Sequence, residues 1–99
     1  MLMEVEFANE PFNSLVKAGT EGPRIQEVLG EIKPEAVYFT KREAGRTCSL
    51  VVDVPEPSSV HSLAEPFFLV FDAGVRFNIC IGSEDLGKAG LEAIGRKYA

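Results

Sequence analysis

The chain has 99 residues, 15 acidic and 10 basic, giving a formal net charge of −5, with 45% hydrophobic and 25% charged residues. That usage is ordinary for a globular domain. It excludes intrinsic disorder, which needs low hydrophobicity, and a membrane-spanning helix, because no apolar run approaches ~20 residues.

The elements read in chain order as follows. Met3, Val5 and Phe7 alternate with Glu4 and Glu6, the period of a half-buried strand over residues 2–7. Residues 9–18 form a short helix with Pro11 in its first turn. Phe12, Leu15 and Val16 share its apolar face, and Gly19 stops it. Ile25, Val28, Leu29 and Ile32 fall at i, i+3, i+4 and i+7, which predicts an amphipathic helix over 23–33 ended by Pro34.

Residues 35–41 are rich in strand formers and 46–54 make the clearest strand. The polar turn Arg42-Glu43-Ala44-Gly45 joins them in a hairpin. Pro55 and Pro57 end the second strand. Ser58 and Ser59 are candidate caps for a helix over Val60 to Ala64. Pro66 should end or kink that helix, yet the apolar run Phe67 to Phe71 reads as its continuation. After the turn Asp72-Ala73-Gly74, Val75, Phe77, Ile79 and Ile81 alternate with Arg76, Asn78 and Cys80, a strand over 75–81. Ser83 caps a last helix over 84–97, with Glu84 and Asp85 at its positive end and Arg96 and Lys97 at its negative end. Gly87 and Gly90 inside it each cost ~1 kcal/mol relative to Ala, which suggests that something packs closely there.

The expected order is therefore β-α-β-β-α-β plus an extra C-terminal helix, in one domain spanning 1–99. The fold class is α+β. The order is the ferredoxin-like split βαβ arrangement, with helices on one face of an antiparallel sheet in strand order 4-1-3-2. Alternation puts Met3, Val5, Phe7, Cys48, Leu50, Val52, Val54, Val75, Phe77, Ile79 and Ile81 under the helices. The opposite face carries Glu4, Glu6, Thr47, Ser49, Val51, Asp53, Arg76, Asn78 and Cys80. Tyr38 and Thr40 join it if Val37 and Phe39 point inward. Such a face is either solvated or packs on a copy of itself around a polar cavity.

The opening strand Leu2 to Phe7, the hairpin Tyr38-Phe39-Thr40 with Leu50 to Val54, the helix from Ser59 to Phe68 and the returning strand Val75 to Ile81 resemble the dimeric α/β-barrel superfamily. The nearest likeness is to a bacterial branch beside its muconolactone-isomerase-like and antibiotic-biosynthesis-monooxygenase-like families. The resemblance covers residues 1–82 and rests on element order. It implies a homodimer whose two sheets face each other as a barrel. The chain has no Trp, a residue on which the monooxygenase branch often relies together with Asn. No isomerase site carries over residue by residue either, so the resemblance implies no catalytic residue.

Glu4 and Glu6 lie on one face of the first strand, and Arg76 and Asn78 share that parity on its expected neighbour. Inside a dimer cavity, Glu4, Glu6, Tyr38, Arg76 and Asn78 would bind a small polar or aromatic molecule, and a desolvated Glu would serve as a base. The structural alternative is a cross-strand Glu–Arg pair that stabilises the sheet or closes the dimer. His61, the only histidine, is the natural base candidate but sits on a surface helix with no visible orienting partner. Cys80 reads as packing on the open face, Cys48 as core. The aromatic run Phe67, Phe68 and Phe71 reads as core, with an apolar ligand pocket as the alternative.

Lys41, Arg42 and Arg46 bracket a turn without making the basic stripe of a nucleic-acid binder, so neither nucleic acid nor membrane is an expected partner. A single His supplies no His-rich metal site, and nothing calls for a cofactor. Met1-Leu2-Met3-Glu4 lacks the features of a secretory signal. Cys48 and Cys80 have no C-x-x-C spacing, so a reducing cytoplasm is the expected compartment. Enzyme and non-catalytic assembly module both stay open, with a monomeric regulatory domain as a third reading.

Overall fold

The computed structural model of the chain describes residues 1–43 and 45–99. Part of the expected turn, Ala44, therefore lies outside the described residues. Among the described residues four strands and five helices follow one another as β1 (Leu2–Glu6), α1 (Asn9–Ala18), α2 (Glu21–Ile32), β2 (Ala36–Arg42), β3 (Gly45–Val51), α3 (Ser59–Phe71), β4 (Gly74–Asn78), α4 (Ser83–Lys88) and α5 (Leu91–Lys97). The fold is α+β. All strand pairs are antiparallel, and the open sheet has the order β2-β3-β1-β4.

The period-2 pattern of β1 does what it should. Met3 and Val5 are fully buried between Leu50 and Phe77 and between Cys48 and Val75, their cross-strand partners. β2 is resolved in parity: Val37 lies opposite Leu50 and Phe39 opposite Cys48, so both take the helix side of the sheet. Phe39 is nonetheless 53% exposed, because β2 is an edge strand and has a neighbour on one side only.

Over the sheet, α1, α2 and α3 supply Phe12, Val28, Ile32, Phe67 and Phe71 to one core with Met3, Val5, Phe7, Cys48 and Leu50. Four phenylalanines form its centre. Phe7 packs edge-on against Phe71 at 5.2 Å between centroids and tilted against Phe12 at 5.0 Å, distances in the favourable range for aromatic pairs. The Arg46 guanidinium closes one end of this cluster, 4.6 Å above the Phe12 ring, while donating to Asn13 Oδ1 at 2.8 Å.

Several local expectations need correction. Helix α3 runs on through Pro66, so Phe67 to Phe71 continue it as read and the alternative of an end at Pro66 does not hold. A mid-helix proline costs about 3 kcal/mol, but ending the helix there would withdraw Phe67 and Phe71, buried to 2% and 1% exposure, each contributing roughly 1.5–3 kcal/mol. Asp72 stops the helix instead, in the left-handed region at φ 51°. Ser58 makes no side-chain cap, and Gly82, not Ser83, precedes α4. Val16 faces solvent rather than the core.

Strand β3 ends at Val51, although the Val52 N–H still donates to the Met1 carbonyl at 2.9 Å. Asp53 therefore lies outside the sheet. β4 ends at Asn78, not 81, so Ile79 and Ile81 are 80% and 55% exposed instead of buried, and Cys80 lies off the sheet face. The single expected C-terminal helix is two short ones, broken where Gly90 adopts φ 71°. The space a Cβ would fill at Gly87 is open, so nothing described in this chain packs on it. No helix among the described residues is long and apolar enough to cross a membrane.

Candidate functional site

The face of the sheet away from α1–α3 is built in rows by the strand register. One row holds Tyr38, Ser49, Glu4 and Arg76; the row on one side holds Thr40, Thr47 and Glu6; the row on the other holds Ala36, Val51, Leu2 and Asn78. Glu4, Glu6, Tyr38, Arg76 and Asn78 thus all lie on this face, within two strands of β1 or on it. Thr47 donates to the Thr40 carbonyl at 3.1 Å, and the two threonine hydroxyls hydrogen-bond to each other, which fixes the β2–β3 side of the face.

The charges pair on diagonals. Arg76 lies directly opposite Glu4, yet its guanidinium donates to Glu6 Oε1 at 3.0 Å. Glu4 Oε1 instead accepts from Arg42 at 2.8 Å, across the whole width of β3. The Glu4 side chain is 22% exposed and that of Glu6 49%. Each carboxylate is therefore matched by one guanidinium, and the four groups sum to zero charge.

Arg42 was visible in the sequence only as part of a basic cluster beside a turn. Its parity with Tyr38 and Thr40 was the signal that places it on this face. The other two members of that cluster differ: Arg46 is taken up by Asn13 and Phe12, and Lys41 stands opposite Arg46 on the other parity of the hairpin.

The remaining candidates lie elsewhere. His61 is exposed on α3. Phe67 and Phe71 are core, while Phe68 is 40% exposed. Cys48 is sealed under the helices, and burial pushes its thiol up to about 12, so it is no nucleophile in the folded chain. Among the described residues no three His, Cys, Asp or Glu side chains gather as a metal site. An open cleft of about 550 Å³ lies between α4 and α5, lined by Leu86, Gly87, Gly90, Leu91 and Arg96 among others, none of them a residue of the polar face.

Chemically, the sheet face offers two carboxylates held by guanidinium groups, a phenol, an amide and the three hydroxyls of Thr40, Thr47 and Ser49. That set recognises polar groups by hydrogen bonds and charge. No protein-family model matches the chain, and no curated protein matches its sequence.

Proposed function

We propose that the chain works as a ferredoxin-like homodimer. Two polar sheet faces close on each other as a dimeric α/β barrel around a small polar or aromatic molecule. Glu4, Glu6, Tyr38, Arg76 and Asn78 contact that molecule. The observation that carries this reading is the charge-balanced open face. Among the described residues three helices cover one side of the sheet and none covers the other, where Glu4 and Glu6 each have a guanidinium partner. Charges that leave water must be paired, so this is a face that tolerates burial against a second copy. The strand order β2-β3-β1-β4 supports the ferredoxin-like reading, being 4-1-3-2 from the other edge.

A second reading has its own support. Because Glu4 and Glu6 are both satisfied within the chain, a ligand has to displace an existing pair. A non-catalytic assembly module, using the same face only as an interface, needs no displacement.

Native mass spectrometry separates these readings. The ligand-binding dimer gives about twice the 10.8 kDa chain mass plus a small adduct, and Arg76→Ala loses the adduct while staying folded. A dimer with no adduct, before and after a screen of small polar and aromatic acids, transfers the face to the assembly reading. A monomer at about 10 μM, the range where a functional pair should hold, overturns both.

A further inference from the structure

Residues 79–99 behave as an arm rather than as part of the domain. Neither α4 nor α5 contains a buried residue. Ile79, Ile81, Leu86, Leu91, Ile94 and Tyr98 are all more than half exposed, from 51% at Leu86 to 80% at Ile79. Leu91, Ile94 and Tyr98 recur at i, i+3 and i+7, so they share one side of α5. The molecule measures 59 × 29 × 19 Å with a radius of gyration of 17.2 Å, against about 13 Å for a compact chain of this length.

Two magnitudes show that this arrangement is incomplete. Helices of six and seven residues are well below the ~12–15 residues at which an isolated helix becomes even marginal in water, so α4 and α5 need a surface to pack on. A compact monomer of 10.8 kDa exposes about 5,500 Å², whereas this chain exposes 6922 Å². The excess is about 1,400 Å² per chain, or about 2,800 Å² for two chains, inside the range of obligate pairs.

Charge selects the occupant. Residues 79–99 contain Glu84, Asp85 and Glu92 against Lys88, Arg96 and Lys97, so the arm is neutral and the whole net charge of −5 resides in residues 1–78. Two acidic bodies repel each other; a neutral apolar arm is the part of one copy best able to approach another. The arm leaves from β4, one edge of the sheet. At the other edge, β2 presents Tyr38 at 66% and Phe39 at 53% exposure.

We propose that residues 79–99 clasp a second copy of the chain, laying the apolar side of α4 and α5 against its β2 edge around Tyr38 and Phe39, and receiving that copy's arm in return. This inference rests on the homodimer proposed above, not on how its sheet faces meet, and adds the device that holds the pair. A reciprocal exchange closes after two copies and buries the surface excess of both.

Light scattering on a sizing column tests it with three forms of the full chain: unchanged, L91D/I94D in the arm, and Glu6→Arg on the sheet face. The unchanged chain runs as a dimer, and L91D/I94D weakens the dimer at least 100-fold. If L91D/I94D stays dimeric, the clasp is wrong and the sheet-face reading survives. If the unchanged chain is a monomer, both fail; if it forms an open ladder of masses, the closed exchange fails. Glu6→Arg reports on the sheet face alone: a weakened dimer supports face-to-face pairing, and an unchanged one removes it while leaving the clasp. Hydrogen exchange on the unchanged protein needs no variant. Amides of residues 83–97 are protected at dimer concentrations and lose protection on dilution; fast exchange at every concentration overturns the clasp.

Discussion

Residues 1–78 and residues 79–99 use similar raw material to opposite effect. In the first region apolar residues fall at positions where an opposing surface exists: Met3 and Val5 are sandwiched between two neighbouring strands and beneath α1–α3, and none of their surface remains in water. In the second region Ile79, Ile81, Leu86, Leu91 and Ile94 are just as apolar, and each keeps at least half of its surface. The difference teaches that hydrophobic pattern determines which side of an element seeks cover, while topology determines whether this chain can provide it.

The largest expected effect sharpens that contrast. Phe71 is 1% exposed and touches the rings of Phe7, Phe12 and Phe67, so Phe71→Ala loses about 3–5 kcal/mol of stability, the same at every protein concentration. Leu91→Ala in the arm has no core of its own to damage. Its cost appears only where the pair is populated and fades on dilution, as linkage to association requires. Urea unfolding at two protein concentrations reads both. A concentration-independent loss at Leu91 would show that the arm packs on its own body and would break the contrast.

The two cysteines divide along the same line. Cys80 belongs to the exposed segment and Cys48 to the core. A water-soluble disulfide reagent therefore modifies one thiol of the native chain, at Cys80, and reaches Cys48 only on unfolding. The Cys48 thiol, ordinarily at 9.0, is pushed up to about 12 by burial. The unfolded chain releases this proton near pH 9 while the folded chain keeps it, so the stability present below pH 9 is lost as pH rises toward 12. The slope from this residue is at most about 1.4 kcal/mol per pH unit. Cys48→Ala lowers stability at neutral pH by leaving a small cavity, and flattens the decline between pH 9 and 11. An unchanged alkaline slope in the variant would show that Cys48 does not cause the decline.

Which parts of this molecule were legible follows from range. Alternation in β1 and β3 and the i, i+3, i+4 pattern of α2 are local signals, and those elements stand close to where the pattern put them. Ile79 and Ile81 misled because they continue the alternation of Val75 and Phe77. Periodicity cannot show where pairing stops: the β1–β4 register ends at Leu2 opposite Asn78, and Met1 exchanges its backbone hydrogen bonds with Val52 on the other side, so Ile79 stays outside the sheet. At Pro66 the longer-range reading held: the apolar run Phe67 to Phe71 continues the helix, because the local penalty is outweighed by two aromatic side chains that find cover only in the folded core. At the polar face, shared parity gathered Glu4, Glu6, Arg76 and Asn78 on one side of the sheet, where the register places them. It could not foresee which carboxylate each arginine takes. Guanidinium stems reach across one or two strands, and only the three-dimensional register offers Glu4 to Arg42.

The smallest expected effect concerns those two pairs. Both are ion pairs of similar length, 2.8 Å for Arg42–Glu4 and 3.0 Å for Arg76–Glu6. They differ in exposure, Glu4 keeping 22% of its side-chain surface and Glu6 49%. Water and salt screen an exposed pair, and holding two long side chains in one geometry costs entropy, so surface pairs are worth about 0–1 kcal/mol. Double-mutant cycles with Glu4→Gln and Arg42→Gln, and with Glu6→Gln and Arg76→Gln, should place Arg42–Glu4 near the upper end of that range and Arg76–Glu6 near zero. Both couplings should shrink in 1 M salt, where the screening length falls to about 3 Å. That holds for a face in contact with water. If two faces meet, the pairs are desolvated, the couplings grow above 1 kcal/mol, and their salt dependence weakens. Coupling energies measured in the clasp-deficient L91D/I94D background and in the unchanged chain therefore compare a free face with a covered one. Equal values in the two backgrounds would mean that the face stays in water even within the pair, with the arms alone holding two copies together.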